Sequence, residues 1–408
     1  MLKNSIVYFV GNMLTAFGGL VLTIIVARQM GPVEYGIFGS LMGLMYFLTI
    51  PVGAMDILII KTVSSFHSSE SLGNTKYFLF YIFKKLWLPF VLAFLVLLLL
   101  TIPLKTYLHL ESGLSLVLMW FIVYMSIIGT VLSSAMKGLL NFFPVSLNIV
   151  LSMLVRILSS LLIIFMVTRS HFGGLWGLIF SGIFSLGLFI YQLKKLWNSQ
   201  IEVVDKAKLG LRKLGIYSLL ISGAFTAMYS LDMIFVRHYL SGFESGIYAS
   251  LATAGKMIFF AISPIAAIIL PVVSRKATNP STARKDLLLL TGVVLFVGLA
   301  GAATLYIFPK LIVNTIFGDK FGDASIYLPV FGLVMLTYSL SNVFGSFLVG
   351  LNKYRSVWII LIALFFEIIL FNIFHENIFQ VIFSMGSVFL VQSMVLFGYC
   401  WYATRKTN

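Results

Sequence analysis

Five ionisable side chains stand inside long apolar stretches of the sequence: Asp56, Arg156, Asp232, Lys256 and Glu367. A charge at the centre of a membrane helix costs about 2.5–3.5 kcal/mol on insertion scales, so such residues pair with each other or serve a function. Arg156 and Lys256 could bind an anion, because guanidinium and ammonium groups bond most strongly to carboxylates and phosphates. Their partner is Glu367, Asp232 or a ligand phosphate, and a permanent Arg156–Glu367 pair would be a purely structural explanation.

The depth of each charge separates informative residues from less informative ones. Arg156 lies near the middle of the fifth predicted membrane span, and Lys256 lies about ten residues into the eighth. Asp56 is five residues from Lys61, so it can reach the inner surface by snorkelling. We therefore favour a functional role for Arg156 and Lys256.

Polar side chains recur at three- and four-residue steps on several predicted spans, which places them along one face of each helix. Small hydroxyl residues also let membrane helices pack closely, so packing is the competing explanation for the isolated Ser and Thr positions. The stripes consist of Asn148, Ser152, Arg156, Ser159 and Ser160 on the fifth span; Ser126, Thr130, Ser133, Ser134 and Lys137 on the fourth; and Ser218, Ser222, Thr226 and Ser230, with Asp232 beside them, on the seventh.

The composition indicates that these helices lie in lipid. Of the 408 residues, 60% are hydrophobic and 10% charged, whereas soluble domains average about 45–50% and 25%. A soluble enzyme, a disordered chain and a collagen-like chain are excluded. The N-terminal apolar run is too long for a signal peptide and lacks a small-residue cleavage site, so we expect an uncleaved first span.

Stretches of about 20 apolar residues, the length that crosses a bilayer, occur twelve times. We therefore predict an all-α membrane protein with twelve transmembrane helices. The segment 74–85 is too short to span and is either an interfacial helix or the start of the third span. The predicted spans are 5–27, 37–60, 86–104, 114–136, 143–168, 173–193, 214–236, 246–271, 287–309, 325–349, 356–374 and 378–402.

The distribution of cations predicts the orientation. With both termini inside, twenty of the 28 Lys and Arg residues fall in cytoplasmic segments and six in outer ones. This asymmetry is typical of membrane proteins and explains most of the +15 net charge. We expect a multi-pass protein of the plasma membrane with cytoplasmic termini and no nucleic-acid partner.

Two pairs of segments indicate an internal duplication. Residues 28–41 and 237–251 share Arg, then Glu-x-Gly-Ile-aromatic-x-Ser-Leu, and Gly138-Leu-Leu-Asn141 resembles Gly350-Leu-Asn352. Six spans per half give both halves the same orientation, so they would be related by a pseudo-twofold axis along the membrane normal. We expect lobes at 1–193 and 214–408 joined by a cytoplasmic linker at 194–213.

Prolines interrupt one predicted span in each half, at related but not identical depths. Pro51 in the second span and Pro264 in the eighth should each kink a helix, and paired interruptions point to a substrate pathway. Proline is also common in membrane helices, which is the alternative explanation.

The motifs of common enzyme and metal sites are absent from the sequence. It has no G-x-x-x-x-G-K-[ST], H-E-x-x-H or C-x-x-C, and Cys400 is its one cysteine. We therefore expect no enzymatic activity, no cofactor and no metal site.

The loop Arg28-Gln-Met-Gly-Pro-Val-Glu-Tyr-Gly36 resembles the opening of polysaccharide-biosynthesis flippases, which belong to the multidrug/oligosaccharidyl-lipid/polysaccharide (MOP) exporter superfamily. Gly246-Ile-Tyr, Gly318-Asp-Lys-Phe and Gly350-Leu-Asn352 look like later landmarks of the family. The order of these short motifs along the whole chain carries the resemblance.

The resemblance implies export of a polyprenyl-diphosphate-linked oligosaccharide from the inner to the outer leaflet by alternating access. It also implies a monomer that works in membrane lipid beside a polysaccharide polymerase and glycosyltransferases. Cationic residues lining the family's cavity are thought to meet the diphosphate. Carried onto this chain, and completed with the buried carboxylates, the candidate substrate-binding residues are Arg28, Arg156, Arg237, Lys256, Asp232 and Glu367.

Three other functions compete with this one. A cation-coupled drug antiporter of the same superfamily should carry a cluster of buried carboxylates in one lobe, for which Asp232 and Glu367 qualify but on different helices. A membrane scaffold should lack a hydrated cavity. A membrane glycosyltransferase is disfavoured, because the chain has neither an acidic loop motif nor a soluble domain.

Overall fold

The computed structural model describes residues 2–67, 72–202, 213–276 and 280–404. Within these ranges the chain is all α-helical and contains no strand. Pro264 and linker residues 203–212 lie outside the part whose side chains are described. The helices are α1 (Leu2–Met30), α2 (Pro32–Leu48), α3 (Ile50–His67), α4 (Leu72–Tyr107), α5 (Leu114–Gly138), α6 (Phe142–Met166), α7 (His171–Gln192), α8 (Lys194–Trp197), α9 (Lys213–Tyr239), α10 (Gly242–Lys276), α11 (Pro280–Ile307), α12 (Pro309–Ile316), α13 (Ala324–Gly350), α14 (Ser356–Ile373) and α15 (Ile378–Ala403).

The predicted number of spans is confirmed. Among the described residues, eleven helices are long and apolar enough to cross a bilayer, and α2 with α3 makes a twelfth when counted as one span. The segment 74–85 is the beginning of the 36-residue helix α4, so it belongs to the third span. The chain is a multi-pass membrane protein.

The second span is broken close to Pro51, as the sequence predicts. Helix α2 ends at Leu48, and α3 begins at Ile50 with Pro51 in its first turn. A proline there lacks the N–H that would continue the helix, and its fixed φ suits the start of a new one. The break therefore has a local covalent cause.

The chain forms two compact units. The first unit is Met1–Met30 with Leu44–Leu219, and the second is Gly31–Gly43 with Leu220–Asn408. The core of the first unit contains Ile59, Phe78, Leu132 and Phe189. The core of the second is rich in aromatic rings, which include Tyr248, Phe331, Tyr338 and Phe389.

The turns that follow α5 and α13 have the same geometry. Leu140 and Asn352 both have φ 59°, and the next amide in each turn bonds to a carbonyl five residues back. This is the Schellman ending of a helix. The two similar segments therefore end their helices in the same way, with Asn352 at the position of Leu140.

The first half of α2, which belongs to the second unit, packs closely against the start of α10, and a glycine on each helix allows the close approach. A Cβ on Gly36 would overlap Ser245, and a Cβ on Gly246 would overlap the Pro32 carbonyl. The matched segments 28–41 and 237–251 therefore meet where small residues allow close approach of the backbones, as is common between membrane helices.

Gly246→Ala should lower the stability of the folded protein by about 1–3 kcal/mol, because the added methyl group meets backbone atoms that cannot move aside. The measurement is thermal unfolding of the detergent-solubilised protein. Gly187→Ala is the matched control, since nothing lies within 4 Å of a Cβ there. Equal melting temperatures for the two variants would contradict the proposed contact.

Candidate functional site

A cleft of about 600 Å³ opens within the first unit. It lies among the end of α2 and helices α3, α5, α6 and α7. A volume of this size is typical of small-molecule sites. Eight hydroxyl-bearing side chains line it among Met, Ile, Leu and Phe: Tyr46, Thr49, Ser126, Thr130, Ser133, Ser152, Ser181 and Ser185.

The predicted polar stripe on α5 faces this cleft. Ser126 and Thr130 donate hydrogen bonds to carbonyls of their own helix, at 2.7 and 2.8 Å. Their oxygens keep lone pairs that can accept a bond from a ligand. The Ser133 hydroxyl has no hydrogen-bond partner among the described residues. The stripe therefore offers acceptors and at least one free donor.

Asn148 holds α6 against α7 beside the cleft. Its Oδ1 accepts bonds from Ser152 at 3.1 Å and Ser185 at 2.7 Å, while its Nδ2 donates to the Ser185 carbonyl at 3.0 Å. Asn148 is fully buried. The packing explanation therefore applies to Asn148, which fixes the position of two cleft hydroxyls.

Asp56 and Lys137 form an ion pair at the lining of the cleft. Lys137 Nζ lies 3.1 Å from Asp56 Oδ1, and the Ser134 hydroxyl donates to the same oxygen. The sequence analysis did not predict this pair, in which a lysine on α5 holds the Asp56 carboxylate. The pair leaves the charges on the cleft wall balanced.

Arg156 lies one helical turn beyond the cleft residue Ser152 on α6. Its Nε is buried and has no hydrogen-bond partner among the described residues. Tyr46, another cleft residue, is within electrostatic range of its guanidinium. Arg156 belongs to the first unit, whereas Glu367, one of the alternatives considered for its partner, belongs to the second.

Lys256 is paired inside the second unit. Its Nζ lies 2.8 Å from Asp232 Oδ2 and 2.7 Å from the Tyr229 carbonyl, and 4.4 Å from the centre of the Tyr229 ring. Tyr248 donates a further bond to Asp232 at 3.0 Å. Lys256 is 6% exposed, so in this arrangement its charge is already neutralised and does not stand free for a ligand.

Glu367 is fully buried on α14 in the same unit. Both of its carboxyl oxygens lack a hydrogen-bond partner among the described residues. Asp232 and Lys256 act on it electrostatically. The two carboxylates, predicted on different helices, therefore belong to one buried group of ionisable side chains.

The two loop arginines have different surroundings. Arg237 is 5% exposed, and its Nη1 donates to Ser245 Oγ at 3.3 Å. Arg28 is exposed in the last turn of α1 and belongs to the first unit. The structure thus groups Asp232, Lys256 and Glu367 in the second unit, whereas Arg28 and Arg156 belong to the first unit and Arg237 bonds to Ser245.

Part of the site was not predicted from the sequence. Ser181 and Ser185 lie four residues apart on α7, so the same periodicity that marked α5 would have found them. Tyr46 lies in the last turn of α2 and Thr49 at the break in the second span, where no periodic signal exists. Within the described residues no group of three or more His, Cys, Asp or Glu could hold a metal ion.

Comparison with solved structures identifies the fold. A multidrug resistance MATE family transporter of the MOP superfamily, in an inward-facing conformation, matches with a TM-score of 0.78 and 11% identity over 98% of both chains. The MATE multidrug transporter DinF-BH matches with a TM-score of 0.70 and 16% identity, over 98% of this chain and 94% of that one.

A MOP superfamily transporter from Pyrococcus furiosus, described as having a binding pocket of reversed polarity, matches with a TM-score of 0.66 and 12% identity. The match covers 100% of this chain and 96% of that one. No protein-family profile and no curated protein matches the sequence. The chain therefore has the fold of MATE transporters of the MOP superfamily, which confirms the predicted superfamily fold.

The buried Asp232–Lys256 pair supports a double-mutant test. Lys256→Met should destabilise the protein by about 3–5 kcal/mol, because it leaves the Asp232 carboxylate buried without its cation. Adding Asp232→Asn removes the orphaned charge and should restore most of that stability, as measured by thermal unfolding in detergent.

Lys137→Met is the comparison variant, since the Lys137 and Asp56 side chains are 17% and 29% exposed and pairs open to water contribute only about 0–1 kcal/mol. If Lys256→Met were as stable as the wild type, the pairing of Lys256 would be contradicted.

Proposed function

We propose that the protein is a flippase that moves a polyprenyl-diphosphate-linked oligosaccharide from the inner to the outer leaflet by alternating access, for the synthesis of a cell-surface polysaccharide. The observation that carries the proposal is the hydroxyl-lined cleft with a partly buried arginine, Arg156, one helical turn away, whose buried Nε has no hydrogen-bond partner among the described residues. Export would take place in the plasma membrane, with a glycosyltransferase upstream and a polymerase downstream.

The requirements of such a substrate match the chemistry of the first unit. A diphosphate–sugar headgroup cannot cross about 30 Å of hydrocarbon without a polar path. Sugar hydroxyls need both donors and acceptors, which Thr130, Ser133 and Tyr46 offer. The diphosphate needs a cation, and Arg156 has an unpaired buried Nε. A guanidinium suits phosphate because its fork of donors matches two oxygens at once.

The charge balance of the cleft favours a glycan over a cationic drug. A site for an organic cation should present a carboxylate that no cation of the protein neutralises. The one carboxylate that lines this cleft, Asp56, is already bound to Lys137. The cleft therefore offers hydrogen bonds without an excess of negative charge.

A cation-coupled drug antiporter is the second candidate. Two observations support this function. Glu367 is buried without a hydrogen-bond partner among the described residues, and the structural neighbours are described as multidrug transporters. This function predicts dye efflux from vesicles that is driven by a proton or sodium gradient and abolished by Glu367→Gln. We expect no such efflux from the wild-type protein, and its observation would replace the flippase proposal.

Arg156→Ala should reduce flipping of a fluorescent polyprenyl-diphosphate oligosaccharide in proteoliposomes at least about tenfold, because one charge-assisted bond to phosphate contributes roughly 1.5–3 kcal/mol. Arg156→Lys should retain part of the activity. The measurement is the fraction of lipid that becomes accessible to an impermeant quencher.

Arg169→Ala is the matched control, since Arg169 is exposed beyond the end of α6. It should flip lipid at the wild-type rate. Normal flipping by Arg156→Ala, at equal reconstitution, would remove the central residue from the proposal.

A further inference from the structure

A second cavity, separate from the first-unit cleft, opens at one end of the second unit. Its volume is about 600 Å³, and it lies between the turn after α13, the start of α14 and the end of α15. The side chains that give it its character are Lys353, Arg355, Tyr399 and Tyr402. None of the residues that line it is acidic.

The polar wall of this cavity carries two basic side chains that form no ion pair with a described residue. Lys353 and Arg355 are both exposed, and neither forms an ion pair or side-chain hydrogen bond with a described residue. The Schellman turn places them, because it reverses the chain at Asn352 and α14 begins directly after Arg355. Two neighbouring cations in a concave surface, unpaired within the described part of the chain, form a site for a phosphate group.

The rest of the wall is aromatic and apolar. Tyr399 and Tyr402 project from the last turns of α15, and Tyr402 is 70% exposed. Nearby, Arg284 lies 3.5 Å from the centre of the Trp401 ring. Tyr and Trp concentrate at the level of lipid headgroups, so this end of the bundle has the composition of the membrane interface.

An apolar track leads from the cavity along α15. Val391, Val395, Gly398 and Tyr402 follow one another at three- and four-residue steps, which places them on one face of the helix. All four are exposed, and nothing lies within 4 Å of a Cβ built on Gly398. An acyl chain can lie in this open strip while its headgroup occupies the cavity.

We propose that the cavity formed by Lys353, Arg355, Tyr399 and Tyr402 binds the phosphate headgroup of an anionic phospholipid, with an acyl chain along Gly398. Basic pockets between membrane helices, at the level of the headgroups, bind such lipids. The site is distinct from the cleft proposed for the transported substrate and does not depend on it.

The test is lipid retention by the purified full-length protein, measured by native mass spectrometry and by titration in detergent. The probes are phosphatidylglycerol, phosphatidylcholine and inorganic phosphate. Lys353→Gln/Arg355→Gln should weaken binding of phosphatidylglycerol about 25-fold, since each cation beside an anionic headgroup contributes roughly fivefold. Phosphatidylcholine should bind weakly to both forms.

The matched control is Lys194→Gln/Lys195→Gln, which changes two adjacent exposed lysines on α8. Neither lysine lines one of the two described cavities, so this variant should bind phosphatidylglycerol as the wild type does. Gly398→Trp, which fills the open strip, should also weaken retention of phosphatidylglycerol. Equal losses in the control pair would overturn the proposal, and so would binding of inorganic phosphate as tight as that of the lipid.

Discussion

The energetic cost of an unpaired charge in a membrane governs the arrangement of this protein. The charges inside its membrane spans lie in different settings. Lys256 and Asp232 neutralise each other, and Asp232 gains a hydrogen bond from Tyr248. Arg156 and Glu367 are not fully satisfied within the described part of the chain. An ionisable group inside a membrane span that lacks a full set of partners indicates a function by default, so these two residues carry most of the functional argument.

The two units use their polar residues differently. In the first unit, hydroxyl groups from several helices converge on one cleft, and Asn148 fixes two of them. In the second unit, Asp232, Lys256 and Glu367 are buried ionisable side chains.

Much of the fold follows from the sequence because lipid imposes simple rules on it. Twelve apolar stretches of sufficient length predict twelve spans, and Pro51 predicts the break in the second. The polar stripe on α5 was visible as a three- and four-residue repeat. The Asp56–Lys137 pair could not be predicted in this way. Its members are 81 residues apart in the sequence, and only the packing of α3 on α5 brings them together. Lys256 was predicted to meet an anion, but its choice of Asp232 depends on the packing of α9 beside α10.

The central claim is that Arg156 meets the diphosphate of a lipid-linked oligosaccharide. The most direct measurement is an experimental structure of the protein with a polyprenyl-diphosphate oligosaccharide bound. The claim predicts a phosphate oxygen within hydrogen-bond distance of the Arg156 guanidinium, with sugar density against the hydroxyls of α5. A headgroup bound elsewhere, with Arg156 in contact with lipid tails or with a carboxylate of the protein, would contradict it.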